Sequence, residues 1–416
     1  MQVCVTGLNY KKAPVEIRSR VAIGSAQLPE ALISLHKHAS QGIILATCNR
    51  TEIYTTGADE HDDASASLKY LAERGDLPVG ELLPHTYTYS GETAVRHLFQ
   101  VASGLDSMIT GEYEILGQVK RALEEAMKTG LIGLPLLNLF RDAIRTGRRA
   151  RLETAISKNA ISVSSAAVDL AAQIVGDMRQ QRIVVIGAGE AGSLVAKTCK
   201  ERGASQIVVV NRSPQKGVEL ADALSGCWVP MEELERELSG CDVVISCSGA
   251  PHTVLKFRLV EDAVKSRQRR PMVIIDIAVP RDVDPQVKSI SNIYLYDIDD
   301  LVNICQDNHK HRQEEIQRAD SIVGEEVIKF MRYWRELGVR PLVKALLQRA
   351  EEIRRSKLEM TLKKMPELSG EQKFYLDTMT KAIVQNILHE PVKHLKNNQN
   401  KEGYAQVVEE LFSLDK

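Results

Sequence analysis

Residues 182–197 read RIVVIGAGEAGSLVAK. An apolar run of strand length ends at Ile186, three glycines follow at G-x-G-x-x-G spacing, and a segment with helical spacing begins. Between a strand and a helix this pattern predicts a turn that cradles a dinucleotide pyrophosphate. Gly187 permits the tight turn, Gly189 lets the phosphates approach the backbone, and Gly192 lets helix and strand pack closely. Ala188, Glu190 and Ala191 complete the loop, and the first helical amides face the phosphates. Three more apolar runs, at 206–212, 242–250 and 272–280, alternate with helical segments. Together they predict a buried parallel sheet of Rossmann type. The end of the second strand selects the cofactor. Asn211, Arg212 and Ser213 stand there, where an NAD site usually carries an Asp or Glu for the ribose 2′-hydroxyl. A guanidinium suits a 2′-phosphate by a charge-assisted fork, which points to NADPH. The plain alternative is a solvated arginine after a strand.

Outside this domain the pattern changes twice. Upstream, residues 2–7, 42–46 and 53–57 read as strands, and 27–39 and 66–75 as helices, which predicts an α/β sandwich-type domain. Residues 91–152 and 159–176 read as helical. Downstream, residues 298–337 contain no proline and a single glycine, Gly324, with apolar residues at helical spacing. One helix of that length spans roughly 60 Å and bridges domains. Helical segments follow at 341–364, 370–396 and 403–413. Their apolar faces (Leu342, Leu346 and Ile353; Phe374, Met379, Ile383 and Ile387) need partners, which predicts a bundle shared by two chains. The expected division is 1–155, a catalytic α/β domain; 156–297, the NADPH domain; 298–337, the connecting helix; and 338–416, a helical dimerisation domain.

The totals limit the function classes. The chain has 416 residues, 44% hydrophobic, 26% charged and 5% aromatic, with a net charge of −1. That balance fits aliphatic cores and excludes a strong overall field, so a nucleic-acid partner needs a local basic patch. The run RDAIRTGRRAR (141–151) is one such patch, or else a solvated helix face; RQRR (267–270) and Arg354–Arg355 compete with it. No 18-residue apolar run and no signal-peptide pattern is present, so no membrane partner is expected. Seven scattered cysteines, without a C-x-x-C pair or zinc-ligand spacing, point to a reducing cytoplasm and no metal.

A hydride donor needs an acceptor, and the segment LATCNRTEIY (45–54) supplies a candidate. Cys48 lies where an apolar strand-like run ends, flanked by Thr47, Asn49 and Arg50. A free cysteine at such a place is either a small core hydrophobe or a nucleophile. A thiolate that attacks an activated acyl group forms a thioester, which NADPH can reduce to an aldehyde. Cys199, Cys241, Cys247 and Cys305 fall within regular periodicity and read as structural. Cys4 reads as core, and Cys227 is undecided.

The segment TCNRTEIY, with GLNYKKAPVEIR (7–18), AVRHLFQVASGLDSMITGEYEILGQVK (94–120), SKNAISVSSAAVDLA (157–171), GAGEAG (187–192) and IIDIAVPRDVDP (274–285), resembles the glutamyl-tRNA reductase family. The resemblance runs from residue 5 to about 300, and the later helices suit the family's spinal helix and dimerisation domain. It implies reduction by NADPH of glutamate esterified to tRNA(Glu), giving glutamate-1-semialdehyde. This is the first committed step of five-carbon tetrapyrrole synthesis. Cys48 is then the nucleophile, and Thr47, Asn49 and Arg50 line the glutamate pocket. Arg50 would be a fork for the substrate's side-chain carboxylate. His97 matches the family's activity-important histidine, either favouring the thiolate or moving a proton. Ser107, Glu112, Tyr113, Glu114 and Gln118 match substrate-contacting positions. Here the chain departs from the family's G-E-P-Q: Tyr113 replaces proline and Glu114 the amide, so Glu114 can accept from the substrate ammonium but not donate. The product is a reactive aldehyde, so the resemblance also implies docking of glutamate-1-semialdehyde aminomutase in the cleft of a homodimer. Two other readings compete: a small keto-acid dehydrogenase of shikimate-dehydrogenase type, and a non-catalytic tRNA-binding scaffold.

Overall fold

The computed structural model describes residues 2–57, 60–157, 163–267, 270–305, 313–397 and 404–412. The chain divides into two compact units, Met1–Val327 and Ile328–Lys416.

The first unit opens with β1 (Gln2–Asn9), α1 (Val15–Val21), α2 (Leu28–Leu35), β2 (Gly42–Ala46), β3 (Arg50–Gly57), α3 (Glu60–Gly75), the short α4 (Val79–Leu82) and β4 (Tyr87–Ser90). The strands form an antiparallel sheet in the order β2-β3-β1-β4. Its register pairs Gly7 with Glu52 on one side and with Tyr87 on the other. Side chains alternate along a strand, so Arg50, Glu52 and Tyr54 share one face of β3. A Cβ at Gly7 would lie 2.6 Å from the Thr51 carbonyl oxygen and 2.8 Å from Glu52 Cγ. Glycine there clears the gap across which Tyr87 reaches Glu52. Helices α5 (Gly91–Ala102), α6 (Glu114–Thr129) and α7 (Leu134–Glu153) complete this part, with His97 on the buried face of α5.

After α8 (Val163–Val175) come β5 (Arg182–Ile186), α9 (Glu190–Glu201), β6 (Gln206–Val210), α10 (Pro214–Leu224), β7 (Cys227–Val229), α11 (Leu234–Gly240), β8 (Val243–Ser246), α12 (Phe257–Ser266), β9 (Met272–Asp276) and β10 (Ile293–Asp297). All six strands are parallel, in the order β10-β9-β8-β5-β6-β7. This is the doubly wound arrangement whose switch point falls between β5 and β8, where ligands bind beyond the strand ends. Both faces of the sheet are covered. Ile183 and Val185 belong to one apolar cluster, Val184 and Ile186 to the other. That is why the strands read as unbroken apolar runs rather than as alternation.

The expected helix over 298–337 falls in two described pieces, α13 (Ile298–Cys305) and the start of α14 (Gln313–Lys364). Residues 306–312 lie outside the described residues, as do 159–162 of the expected helix at 159–176 and Gln268 and Arg269 of the RQRR patch. The expected break before 341 is absent. Pro341 lies inside the 52-residue α14, which continues through it. A proline removes one backbone donor, and the helix is carried on by the remaining ladder. In the second unit, Leu342 and Leu346 of α14 pack with Leu388 and Leu395 of α15 (Gly370–Asn397) and Val408 of α16 (Tyr404–Phe412). Phe374, Met379, Ile383 and Ile387 remain exposed along α15. No described helix is long and apolar enough to cross a membrane.

Candidate active site

Cys48 stands on the three-residue loop between β2 and β3. The Thr47 amide donates to the Arg50 carbonyl at 2.9 Å, closing the hairpin. Thr47 Oγ1 accepts from the amides of Asn49 and Arg50, at 3.1 and 3.2 Å. This is a hydroxyl-braced turn, so Thr47 shapes the loop. Arg18 Nη1 donates to the Cys48 carbonyl at 2.9 Å, and the Tyr10 amide donates to the Asn49 carbonyl at 3.0 Å. Arg18 also pairs with Asp299. The thiol is half-buried and packs against the apolar cluster that holds Val185, Val195 and Cys247 of the nucleotide domain. Ala188 and Ala191 of the glycine-rich turn pack on that same cluster. Two segments read separately in the sequence, the cysteine hairpin and the glycine turn, therefore border one apolar cluster.

Beneath the hairpin lies a buried charge cluster that sequence reasoning missed. Arg50 Nη1 donates to Glu52 Oε1 at 2.7 Å and to Asp106 Oδ2 at 3.1 Å, and Nη2 donates to the Asp106 carbonyl. Glu52, fully buried, also accepts from Tyr54 at 2.6 Å and Tyr87 at 2.5 Å, and lies 2.9 Å from His97 Nε2. Lys11 Nζ pairs with Asp106 at 2.5 Å. Burial works to raise the Glu52 carboxyl, but Arg50, His97 and Tyr54 hold it below the ordinary carboxylate range. Asp106 is likewise held down by Arg50 and Lys11 against its burial. Both terminal nitrogens of Arg50 are thus committed inside the protein, unlike the free fork expected. His97 is joined to Glu52 and lies 4.0 Å from Asp106 through Nδ1; no hydrogen bond joins it to Cys48 among the described residues. One signal was present in the chain: Arg50 and Glu52, the only charged residues of their strand, stand two apart and so share one face.

Around the thiol the electrostatics differ. Burial first, then the charges of Glu112 and Glu114, push the Cys48 thiol up to about 12, with Arg18 opposing. Burial, Glu112 and Glu190 push Glu114 up to about 7, with Arg121 opposing. Burial also raises Glu112, against Ser107, Arg50 and Arg151. Two buried polar atoms here have no protein partner: Asn49 Oδ1 and Glu114 Oε1. Unmatched buried polar atoms are costly, so they mark a place for a polar ligand. Gln118 lies half-buried on α6, and Tyr113 is exposed just before that helix.

Beyond the ends of β5, β6 and β8 lies a cavity of 510 Å³, lined by Gly187, Ala188, Gly189, Asn211, Arg212 and Ser213 of the expected set. Ser25 of the N-terminal part and Lys216, His252 and Lys256 of the sheet domain also line it. A Cβ at Gly189 would meet nothing within 4 Å, whereas one at Gly192 would lie 2.0 Å from the Gly187 carbonyl. Gly189 therefore keeps room for a ligand, and Gly192 permits close packing. Asn211 braces the turn: Oδ1 accepts from the Ala188 amide at 3.1 Å, and Nδ2 donates to the Ser213 carbonyl at 2.8 Å. Glu190, Ala191 and Gly192 open α9 and are not among the lining residues; Glu190 pairs with Arg121 at 2.5 Å. Neither Arg212 nor Lys216 forms a salt bridge among the described residues, and the lining holds no carboxylate. The donor set fits an anionic dinucleotide.

Two of the five arginines in the run on α7 are engaged by acids. Arg145 pairs with Asp142 at 2.9 Å and Glu326 at 3.2 Å, and Arg149 with Glu153 and Glu325, both at 2.8 Å, and Glu326 at 2.9 Å. Arg141 and Arg148 remain exposed.

Residues 6–154 match the model of the glutamyl-tRNAGlu reductase N-terminal domain, 169–304 that of shikimate/quinate 5-dehydrogenase, and 318–414 that of the glutamyl-tRNAGlu reductase dimerisation domain. Among curated relatives, the glutamyl-tRNA reductase of Geotalea daltonii is 39% identical over 100% of this chain and 97% of its own. That of Bacillus subtilis is 37% identical over 100% and 92%. The solved glutamyl-tRNA reductase of Methanopyrus kandleri is 34% identical, covers 100% of this chain and 99% of its own, and aligns with a TM-score of 0.52.

Proposed function

The chain belongs to the glutamyl-tRNA reductase family, an oxidoreductase family with a nicotinamide-binding domain, and from that premise we propose that it reduces glutamyl-tRNA(Glu) to glutamate-1-semialdehyde through a thioester on Cys48. The reaction would be the first committed step of five-carbon tetrapyrrole synthesis. The observation that carries this reading is the thiol loop itself. It stands on the same apolar cluster as the glycine-rich turn, and Asn49 of that loop carries a buried oxygen that lacks a partner.

The residues divide the work as follows. Asn49 Oδ1 and Glu114 Oε1 accept from the substrate ammonium, and Ser107 Oγ completes the polar wall with Gln118. Glu112 sets the field next to them. Arg50 meets the substrate's side-chain carboxylate by exchange with Asp106, which keeps Lys11 as its second partner. His97, held by Glu52, orients that cluster. The free thiol is protonated at neutral pH. Glu114, poised near neutrality, takes the thiol proton as sulfur attacks the ester carbon, and the proton passes to the departing ribose oxygen. An ammonium against Glu112 and Glu114 offsets their charges and so eases ionisation of the thiol. Arg212 and Lys216 would hold a 2′-phosphate, which selects NADPH. A nicotinamide bound there would supply a hydride to the thioester carbon, and release of the aldehyde would return Cys48 as the thiolate.

Residues 318–414 match a dimerisation domain, and the exposed Phe374, Met379, Ile383 and Ile387 supply the apolar face that a second copy covers in the homodimer. The dimer would hand its aldehyde to glutamate-1-semialdehyde aminomutase, because that product should not linger in water.

The test is single-turnover mass spectrometry with glutamyl-tRNA and no NADPH. A glutamyl adduct on Cys48, lost in Cys48→Ser, is expected. Bound tRNA with no adduct would overturn the thioester route.

A further inference from the structure

Tyr113 is an oddity of this site. It is the residue before α6, and 61% of its surface is exposed. Its neighbours Glu112 and Glu114 are the carboxylates whose charges act on the Cys48 thiol. Tyr113 thus lies on the chain between the two carboxylates whose charges reach the thiol.

The ring has a cationic neighbour. The Arg151 guanidinium, from the last turn of α7, lies 5.8 Å from the ring centroid. Arg151 Nη2 donates to the Glu112 carbonyl at 2.8 Å, which fixes the guanidinium beside the loop. Arg151 Nε is buried and has no partner. An exposed aromatic face is free to take a second planar group, and a fixed guanidinium beside it adds cation–π attraction. Arg145 and Arg149 on the same helix are paired with acids, whereas no salt bridge engages Arg151 among the described residues.

The chemistry of the substrate says which planar group arrives here. In an aminoacyl-tRNA the acyl carbon is joined through an ester oxygen to the ribose of the terminal adenosine. When sulfur reaches that carbon, the adenine base lies one sugar away, outside the glutamate pocket and at its rim. We propose that the exposed face of Tyr113, braced by Arg151, is the stacking platform for the terminal adenine of the tRNA. This rests on the reading that the substrate is an aminoacyl-tRNA. It makes Tyr113 a determinant of the leaving nucleoside rather than of glutamate. Stacking recognises a π-face and tolerates changes of base, so the platform would accept other purines in place of adenine.

A double-mutant cycle tests it. Binding of uncharged tRNA(Glu), with and without its terminal adenosine, is measured on the full-length Cys48→Ser protein and on the same protein carrying Tyr113→Ala or Tyr113→Phe. Removal of the adenosine should weaken binding to the Tyr113 protein about tenfold, within the range of base–aromatic stacking. The same trimming should cost the Tyr113→Ala protein little, and Tyr113→Phe should keep the coupling. Additive losses, or no loss on trimming with Tyr113 in place, would overturn the proposal. A protein that merely folds less well would lose affinity equally for both tRNAs, which also counts against it. Aldehyde formation from glutamyl-tRNA by the unmodified enzyme reports separately on the reading beneath.

Discussion

Arg50 and Arg212 both stand at the end of a strand, yet they have opposite surroundings. Arg50 begins β3, is 2% exposed, and has its terminal nitrogens bound to Glu52 and Asp106. Arg212 follows β6, is exposed, lines the nucleotide cavity and forms no salt bridge among the described residues. The contrast extends to the two regions around them. The cluster around Arg50 is a closed network in which charges answer one another, so its geometry is set before any ligand arrives. The nucleotide side leaves its cations free, so their charge is available to an anion. A buried cation must bring its counter-ions with it; a cation at a cavity mouth has water until the ligand replaces it.

The comparison breaks most visibly at Glu52. Glu52→Ala leaves Arg50 buried with half its partners, and removing one member of a buried pair costs about 3–5 kcal/mol. Thermal melting should show a large loss of stability; an unchanged midpoint would mean that the cluster around Arg50 is no closed network. Arg212→Ala should do the reverse. Folding is untouched, but affinity for NADPH falls by about 1.5–3 kcal/mol, the range for a hydrogen bond to a charged group, while affinity for NADH changes little. Equal losses for both cofactors in fluorescence titrations would remove Arg212 from the 2′-phosphate site.

The smallest effect concerns the thiol. Glu114 raises the Cys48 pKa only while Glu114 is ionised, and its own carboxyl titrates at about 7. Glu114→Gln should therefore alkylate with iodoacetamide no faster than the parent at pH 5.5, where Glu114 already carries its proton. At pH 8.5 it should alkylate about tenfold faster, one pKa unit for the lost charge. A ratio that stays flat across this range would separate the Glu114 charge from the thiol.

The nucleotide half was far more legible in the chain than the acyl half. Strand, glycine turn and helix are contiguous, and each glycine acts on atoms only a few residues away, as Gly192 does on Gly187. Arg212 could be read as a cavity cation because it stands two residues past its strand. The family motifs grouped Cys48, Asn49, Ser107 and Glu114, and in the fold the charges of Glu112 and Glu114 act on the Cys48 thiol. Glu52, Asp106, Tyr87 and Gly7 could not be read, because their meaning lies in pairing across strands. Gly7 looks like any glycine until β1 is set between Glu52 and Tyr87.

By itself, the sequence determined the alternation of buried strands and helices, the phosphate turn, the absence of an acid where an NAD site keeps one, and the exposed apolar stripe on α15. These follow from local chain geometry, which a pattern of neighbours encodes. Only the tertiary structure decided that Arg50 is saturated, that His97 answers to Glu52, that Arg145 and Arg149 of the arginine run on α7 meet acids, and that the thiol loop and the glycine turn share one apolar cluster. Those outcomes depend on which distant charges burial brings within hydrogen-bond reach, and Coulomb interactions grow strong only once water has been excluded between them.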